Sequence, residues 1–381
     1  MDVTLIILSA GNSTRFNYEI KKQWLRIDKK PLWLFVAERF NKIYNFKKTI
    51  ITANKKEIKL YEKLSDYEII SGDKERQYSL INALKNVNSE YVLITDVARP
   101  CVPKEIILNL LEKKADCVVP YISPVDTVVY EDKTIDRDKV KLIQTPQLSK
   151  TEILKKALNT NKLFTDERAA IESISGKIEY IKGSELSKKI TYFKDLDLPC
   201  LKKPSKDIFT GNGYDTHKFE ENKKMILGGI EIDVPYGLKA HSDGDVVIHS
   251  LIDALLGAAG YGDIGEFFPD TDEKYKNISS VELLKEIVEI LTKTGFEIIN
   301  ADISIIAEKP KLKDYKTKIS RNLSRLLNAP VNVKATTNEK MGFIGRSEGI
   351  AVISNTTLKY KDWYEDYNRR KWNLFSSKHT K

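Results

Sequence analysis

Short apolar runs alternate with segments of helical period along the first half of the chain. Residues 3–9 form an apolar run ended by small residues, the pattern of a strand buried on both faces. Residues 49–53, 68–71, 91–95 and 117–119 repeat it. Between these runs apolar positions recur at three- and four-residue spacing: Leu32, Phe35, Val36 and Phe40 behind Pro31, then 57–64, 77–84 and 104–113. This strand–helix alternation predicts a parallel, doubly wound sheet. Residues 125–144 interrupt it with shorter strands that predict an arm or hairpin. Helices from Lys150 and Asp166, and strands near 177–182 and 190–192, complete the unit.

The polar, proline-containing stretch 202–207 reads as a linker. Beyond it the pattern changes. A strand containing Asp215 and His217 precedes a helix over 245–256 with Val247, Leu251, Ala254 and Leu255 as its core face. A second helix spans 281–292 and a third 312–327, among strands at 298–306, 331–336 and 349–358. The expected fold is α/β: a doubly wound, Rossmann-like N-terminal domain with a small arm (1–201), and a C-terminal α+β domain of one small sheet with helices on one side (208–381). The latter takes in an aromatic, charged tail from Lys359. No internal repeat stands out.

Composition narrows the class. The chain is 41% apolar and 31% charged, as in soluble globular domains rather than disordered ones. No apolar run approaches the ~18 residues of a membrane span. No basic segment or cleavage site precedes the first strand, so no signal peptide is expected. Three scattered cysteines, Cys101, Cys117 and Cys200, suit a reducing cytoplasm and argue against a disulfide scaffold or a cysteine metal site. The net charge is +9, but the basic residues are spread rather than gathered into an arm. That points to phosphorylated small molecules rather than nucleic acid or membrane.

Three of the four histidines fall within 213–249. Asp215 and His217 are two apart, so on a strand they share a face. His249 belongs to the following helix, and strand and helix can converge on one ion. Two imidazoles and a carboxylate leave a coordination position open, as in catalytic zinc sites. Spacing alone leaves metal-free surface or core histidines equally open. In the first unit, the small-residue loop 9–15 follows a buried strand, where backbone N–H groups can approach phosphate oxygens. Arg15 and Lys22 add the cations that phosphoryl transfer needs. Asp96 ends a strand at the edge where open α/β sheets place ligands, and an aspartate there suits Mg²⁺.

The ordered motifs of the first unit are Ser-Ala-Gly…Thr-Arg (9–15), Lys-Lys-Gln-Trp-Leu (21–25), Gly72…Arg76…Ser79, Asp-Val-Ala-Arg-Pro (96–100), Asp136-Arg137, Gln-Thr-Pro-Gln (144–147), Thr-Asp-Glu (165–167) and Lys189-Ile-Thr. With these, residues 1–200 resemble the 2-C-methyl-D-erythritol 4-phosphate cytidylyltransferase family of isoprenoid biosynthesis. The resemblance implies a nucleotidyltransferase in which Arg15 and Lys22 stabilise the transition state on the α-phosphate of CTP. Gly11, Gly72, Arg76 and Ser79 would form the CTP pocket, Asp96 would help place Mg²⁺, and Arg137, Thr145 and Lys189 would hold methylerythritol phosphate.

The second unit carries Gly-Tyr-Asp-Thr-His (213–217), His-Ser-Asp-Gly-Asp-Val (241–246), His249, Asp-Ala-Leu-Leu-Gly-Ala (253–258), Gly-Asp-Ile-Gly (262–265), Phe-Phe-Pro-Asp-Thr-Asp (267–272), Lys-Ala-Thr-Thr-Asn-Glu-Lys-Met-Gly-Phe (334–343) and Gly-Arg-Ser-Glu-Gly (345–349). Residues 208–358 thereby resemble the 2-C-methyl-D-erythritol 2,4-cyclodiphosphate synthase family. The resemblance implies Asp215, His217 and His249 as zinc ligands. His241 and Thr337, beside Ser242, would hold the transferring phosphate. Asp263, Ile264, Gly265, Phe268, Asp270 and Asp272 would line the methylerythritol pocket. Ala307, Lys313 and Thr336 would hold the cytidine end, and Glu339 a second ion, Mg²⁺ or Mn²⁺. Phe343 and Arg346 would lie near a substrate loop and a central cavity, unless they serve ordinary packing. The family also implies a homo-oligomer through a trimer of this unit, extended to a hexamer if the transferase units dimerise. The resulting expectation is a fused, cytoplasmic, bifunctional enzyme acting on CTP, methylerythritol phosphate and its cytidine diphosphate derivatives. Two other readings of the zinc unit are a hydrolase, which needs a metal-bound water and a general base, and a structural zinc module, which needs a fourth protein ligand.

Overall fold

The structure is a computed structural model that describes residues 1–240, 242–269, 271–275 and 278–376. It divides into two compact units, 1–204 together with the chain from Asp362, and 205–361.

In the first unit, strands Tyr91–Asp96, Val3–Leu8, Lys48–Ala53 and Glu68–Ser71 lie side by side in that order, all parallel. Every residue of Val3–Leu8 and Tyr91–Asp96 is buried, which is why both read as continuous apolar runs. Register pairs Leu8 with Asp96. The loop after Val3–Leu8 and the acidic end of Tyr91–Asp96 therefore emerge together at the carboxyl edge. Helix Leu32–Ile43 buries Leu32, Trp33, Val36, Ala37 and Phe40, with Phe35 half-buried at the edge of that face. The exposed arm is a hairpin of Val128–Tyr130 and Lys133–Ile135.

Four expectations require correction. The sheet is mixed rather than parallel throughout: Gln147–Lys150, directly after the cis Thr145–Pro146 bond, runs antiparallel between Tyr91–Asp96 and Cys117–Ile122. No strand forms at 190–192; the segment is irregular, held by the Ile190 N–H donating to the Ala98 carbonyl at 2.8 Å. Cys101 and Cys200, expected as separate thiols, form a disulfide with Cα atoms 5.5 Å apart. Their separation of 99 residues concealed the pairing. Cys117 stays a buried free thiol, its pKa pushed up to about 12 by burial. After residues 359–361, which close the second unit, the tail changes unit. It forms helix Trp363–Ser376 on the first, where the fully buried Trp363 indole donates to the Arg26 carbonyl at 2.7 Å.

The second unit is one five-stranded sheet in the order Tyr236–Leu238, Ile208–Glu221, Gly349–Tyr360, Phe296–Ile306, Val331–Thr336, antiparallel except for the last pair. Helix Val246–Ala259 is buried almost all round and lies on Ile208–Glu221. Glycine permits that approach: a Cβ on Gly211 would lie 2.0 Å from the Ala254 carbonyl oxygen, and one on Gly213 2.0 Å from that of Ser250. Period two along the strand then sets Asp215 and His217 on the same face, one and two pleats beyond Gly213. Truncating a helix core residue such as Leu255 to alanine costs about 2–5 kcal/mol.

Candidate functional sites

A cavity of about 320 Å³ opens at the carboxyl edge of the first sheet. It gathers Gly11, Arg15, Lys22, Arg76, Ser79, Asp96 and Lys189 from five separate stretches of chain. The loop wall is built tightly. A Cβ on Gly72 would fall 2.1 Å from Cβ of Ala10, so only glycine lets the two loops meet. Gln23, given no role by the sequence, locks the phosphate loop: its Nε2 donates to the Gly11 carbonyl and its Oε1 accepts from the Ser13 hydroxyl, both at 3.0 Å. The Ser79 hydroxyl accepts from the Asp73 N–H at 2.9 Å.

Asp96 is the hub. Its Oδ1 accepts from Arg76 Nε at 3.2 Å and its Oδ2 from Lys189 Nζ at 2.6 Å. Burial alone would raise its pKa; the Arg76 and Lys189 charges hold it well below the ordinary value. Arg76 also donates to Glu167 at 2.7 Å, and that buried carboxylate is a second anchor without an assigned role in the sequence. Lys22 donates to the Ile190 carbonyl at 2.8 Å. Burial, then the neighbouring Lys189 and Arg15 charges, push its ammonium down to about 8. Arg137 and Thr145 do not line this cavity. Arg137 sits on the exposed arm and donates to the Val125 carbonyl at 2.6 Å, while Thr145 is buried.

A cavity of about 540 Å³ in the second unit is lined by Asp215, His217 and His249 with Ser242, Ile264, Gly265 and Phe268. One ligand atom from each member of the triad lies within 4.8 Å of the others. Asp215 Oδ2 is 3.1 Å from His217 Nε2 and 3.3 Å from His249 Nδ1.

The outer face of His249 settles its tautomer. The Ser280 hydroxyl donates to Asp243, so its oxygen, 2.9 Å from His249 Nε2, must accept. His249 then carries its proton on Nε2 and turns the Nδ1 lone pair toward Asp215. A lone pair facing a buried carboxylate oxygen needs a cation or a proton between them. Asp215 Oδ2 has no hydrogen-bond donor, as that arrangement requires. The donor set of two imidazoles and a carboxylate fits a divalent transition metal with an open position. Helix Val246–Ala259 holds His249 in place through its cap, the buried Asp245, which accepts from the Val247 and Ile248 N–H groups.

Two expected residues, His241 and Asp270, lie outside the described residues. Asp263 caps helix Ile264–Phe267 by accepting from the Glu266 N–H, and Asp272 pairs with Lys274. Ala307, Lys313, Thr336, Thr337 and Glu339 do not line the histidine cavity. All but Lys313 belong to a separate loop system, tied by Ala307 N–H to the Thr336 carbonyl at 3.0 Å and by Thr337 Oγ1 to Glu339 at 2.8 Å. Glu308, within the 307–313 stretch expected at the cytidine end but given no role of its own, organises it by accepting from the Asn338 and Lys340 N–H groups, each at 3.1 Å. Phe343 is 40% exposed and Arg346 pairs with Glu348.

The geometry thus defines a two-site α/β protein: a cation-lined cavity at the carboxyl edge of a doubly wound sheet, and a metal-type triad on an α+β unit. Residues 3–199 match the 2-C-methyl-D-erythritol 4-phosphate cytidylyltransferase (IspD) family and residues 208–359 the YgbB family. The chain is 56% identical over 370 residues to the bifunctional enzyme IspD/IspF of Aliarcobacter butzleri, covering 95% of this chain and 99% of that one. It is 51% identical to the same enzyme of Nitratiruptor sp., over 96% and 99%. It superposes on the bifunctional IspDF of Campylobacter jejuni with a TM-score of 0.84, at 48% identity, over 96% of this chain and all of that one. The chain belongs to the bifunctional IspD/IspF family of the methylerythritol phosphate pathway. It joins CMP from CTP to 2-C-methyl-D-erythritol 4-phosphate, releasing diphosphate. It also closes the phosphorylated cytidine diphosphate derivative to the 2,4-cyclodiphosphate, releasing CMP. Enzymes of both families are metal-dependent.

Proposed function

We propose that each activity is carried by the cavity of its own unit. In the first, the 4-phosphate of methylerythritol phosphate attacks the α-phosphorus of CTP and diphosphate leaves. Arg15 and Lys22 stabilise the charge that builds on the α-phosphate. Gly11, Gly72, Arg76 and Ser79 shape the CTP pocket, and Asp96 holds Lys189 toward the second substrate while helping to place Mg²⁺. The observation that carries this reading is the convergence of Arg15, Lys22, Arg76 and Lys189 around one buried, ionised Asp96. Arg137 and Thr145, which do not line the cavity, would contact methylerythritol phosphate from beyond it.

In the second cavity, Asp215, His217 and His249 would hold zinc, which when bound supplies a Lewis acid and template for the β-phosphate. The 2-phosphate attacks that phosphorus and CMP leaves. Ser242 and His241 orient the reacting phosphate. Ile264, Gly265 and Phe268 form the wall against the methylerythritol moiety, and Asp263, Asp270 and Asp272 serve the same pocket. The cytidine end goes to Lys313 and the loop system of Ala307, Thr336 and Thr337, with Glu339 as ligand for Mg²⁺ or Mn²⁺. Because that loop system is apart from the triad cavity, a homo-oligomer in which one copy's loop serves its neighbour's triad is the natural assembly. The uncovered sheet face of Thr210, Asn212, Tyr214 and Thr216 is a surface for such a trimer. A solution mass of three or six chains supports this, and a monomer refutes it. No helix among the described residues is long and apolar enough to cross a membrane. The cytoplasm, which supplies CTP, is the proposed place of action. Parallel assays of diphosphate release from CTP and CMP release from the cyclase substrate test the assignment; an intact, metal-replete protein lacking either product overturns it.

A further inference from the structure

The C-terminal helix Trp363–Ser376 lies beyond both family matches, which end at 199 and 359. It nevertheless packs on the first unit, beside the phosphate loop. The Tyr18 hydroxyl donates to Asp366 at 2.6 Å. Burial and the Asp366 charge push the Tyr18 pKa upward, so it stays a donor. The Arg370 guanidinium lies 4.6 Å from the Phe193 ring centre and 5.5 Å from that of Tyr18. Tyr18 and Phe193 are themselves 4.4 Å apart, and Tyr367 adds to the same cluster. A groove lined by Asn12, Ser13, Thr14 and Tyr18 on one side has Asp366, Arg369 and Arg370 on the other.

This cluster joins two walls of the nucleotide cavity. Phe16, which touches the Tyr18 and Phe193 rings, ends the single turn Thr14–Phe16 that carries Arg15, and Tyr18 follows two residues later. Phe193 follows Thr191, which lines the cavity with Lys189. The Arg15 turn is bracketed by Ser13 at φ 57° and Asn17 at φ 49°, both left-handed without being glycine. Such a turn persists only where its surroundings hold it.

We infer that the C-terminal helix is a positioning element of the cytidylyltransferase site: Asp366, gripping Tyr18, and Arg370, capping the Tyr18–Phe193 pair, hold the Arg15 turn in place for the reaction. The inference rests on the proposed role of Arg15. Asp366 and Arg370 touch no reacting atom and act through Tyr18 and Phe193.

The test measures both activities of the full-length protein in Tyr18→Phe, Asp366→Ala, the double variant and Asp366→Asn. Tyr18→Phe and Asp366→Ala should each lower transferase kcat about tenfold, leaving KM for CTP within about two-fold. The double variant should fall no further than either single one, because both break the same contact. Asp366→Asn, which keeps an acceptor for the Tyr18 hydroxyl, should recover most of the rate. Cyclase turnover in the same molecules should be unchanged, which reports that the second unit is intact, and near-ultraviolet circular dichroism should match the wild type, which reports that the first unit is folded. Unaltered transferase kcat in the single variants overturns the inference. So does parallel loss of both activities, or a loss confined to KM, since a merely structural contact would give either. Arg15→Ala separates the two claims. If it retains transferase activity, the role of Arg15 fails. If it is inactive while the Tyr18 and Asp366 variants are normal, only the helix's role fails.

Discussion

The two cavities meet the same problem, bringing an anionic nucleophile to an anionic phosphate, with opposite resources. The transferase cavity is lined by Arg15, Lys22, Lys74, Arg76 and Lys189 against Asp73 and Asp96. The cyclase cavity has Lys239 against Asp215 and Asp253, with two imidazoles. In the first, positive charge is built into the chain and fixed by the buried anchors Asp96 and Glu167. In the second, the chain presents a carboxylate oxygen without a hydrogen-bond donor and a histidine lone pair aimed at it, and the positive charge has to be brought in. A site of the first kind fails by losing a side chain; a site of the second kind fails by losing whatever holds or orients the ion.

That contrast can be broken most severely at the ligands. His249→Ala should lower cyclic diphosphate formation by about 1,000-fold, the scale of losing a group that stabilises transition-state charge. Diphosphate release from CTP should stay within about two-fold, as for distant, independent sites. Comparable losses in both assays would mean that the sites are not independent. Lys22→Ala should do the reverse, costing transferase kcat about 100-fold and sparing the cyclase; retained transferase turnover would remove Lys22 from its role.

A smaller effect follows from the depressed Lys22 pKa. The ammonium is charged below its pKa of about 8 and neutral above it. Transferase kcat/KM should therefore hold at pH 7 and fall about tenfold by pH 9, if the charged form is the active one. Lys22→Arg should abolish that basic limb whatever its effect on rate. A wild-type profile flat to pH 9 would contradict the assignment. The smallest expected change is at Ser280, which fixes the His249 tautomer from outside. Ser280→Ala should weaken metal binding about tenfold without removing it, read by competition with a chelator; an unchanged affinity would mean that the serine does not orient the imidazole.

Much of this was legible in the residue pattern because it depends on local periodicity. Asp215 and His217 share a face by the two-residue period of a strand, and the apolar runs at 3–9 and 91–95 are strands because both their faces are covered. What escaped depends on contacts between residues far apart in sequence. Gln147–Lys150 keeps the direction of Leu142–Ile143, both antiparallel to Cys117–Ile122, and slots in beside Tyr91–Asp96, an insertion that no local pattern announces. Cys101 meets Cys200 across the whole first unit. The tail carries no periodic signal that says which unit it belongs to; Trp363 and Asp366 are placed by Arg26 and Tyr18, more than 300 residues away. The roles of Glu167, Gln23 and Glu308 escaped for a related reason. They act by holding other residues, and a holding residue has no chemical signature until its partner is seen.

The central claim, that the second site draws its positive charge from a bound ion while the first builds it from side chains, is tested most directly by metal content. After exhaustive dialysis, mass spectrometry should find about one zinc per chain in the wild type and in Lys22→Ala, and none in Asp215→Ala. Zinc absent from the active wild-type protein, or retained in Asp215→Ala, would contradict it.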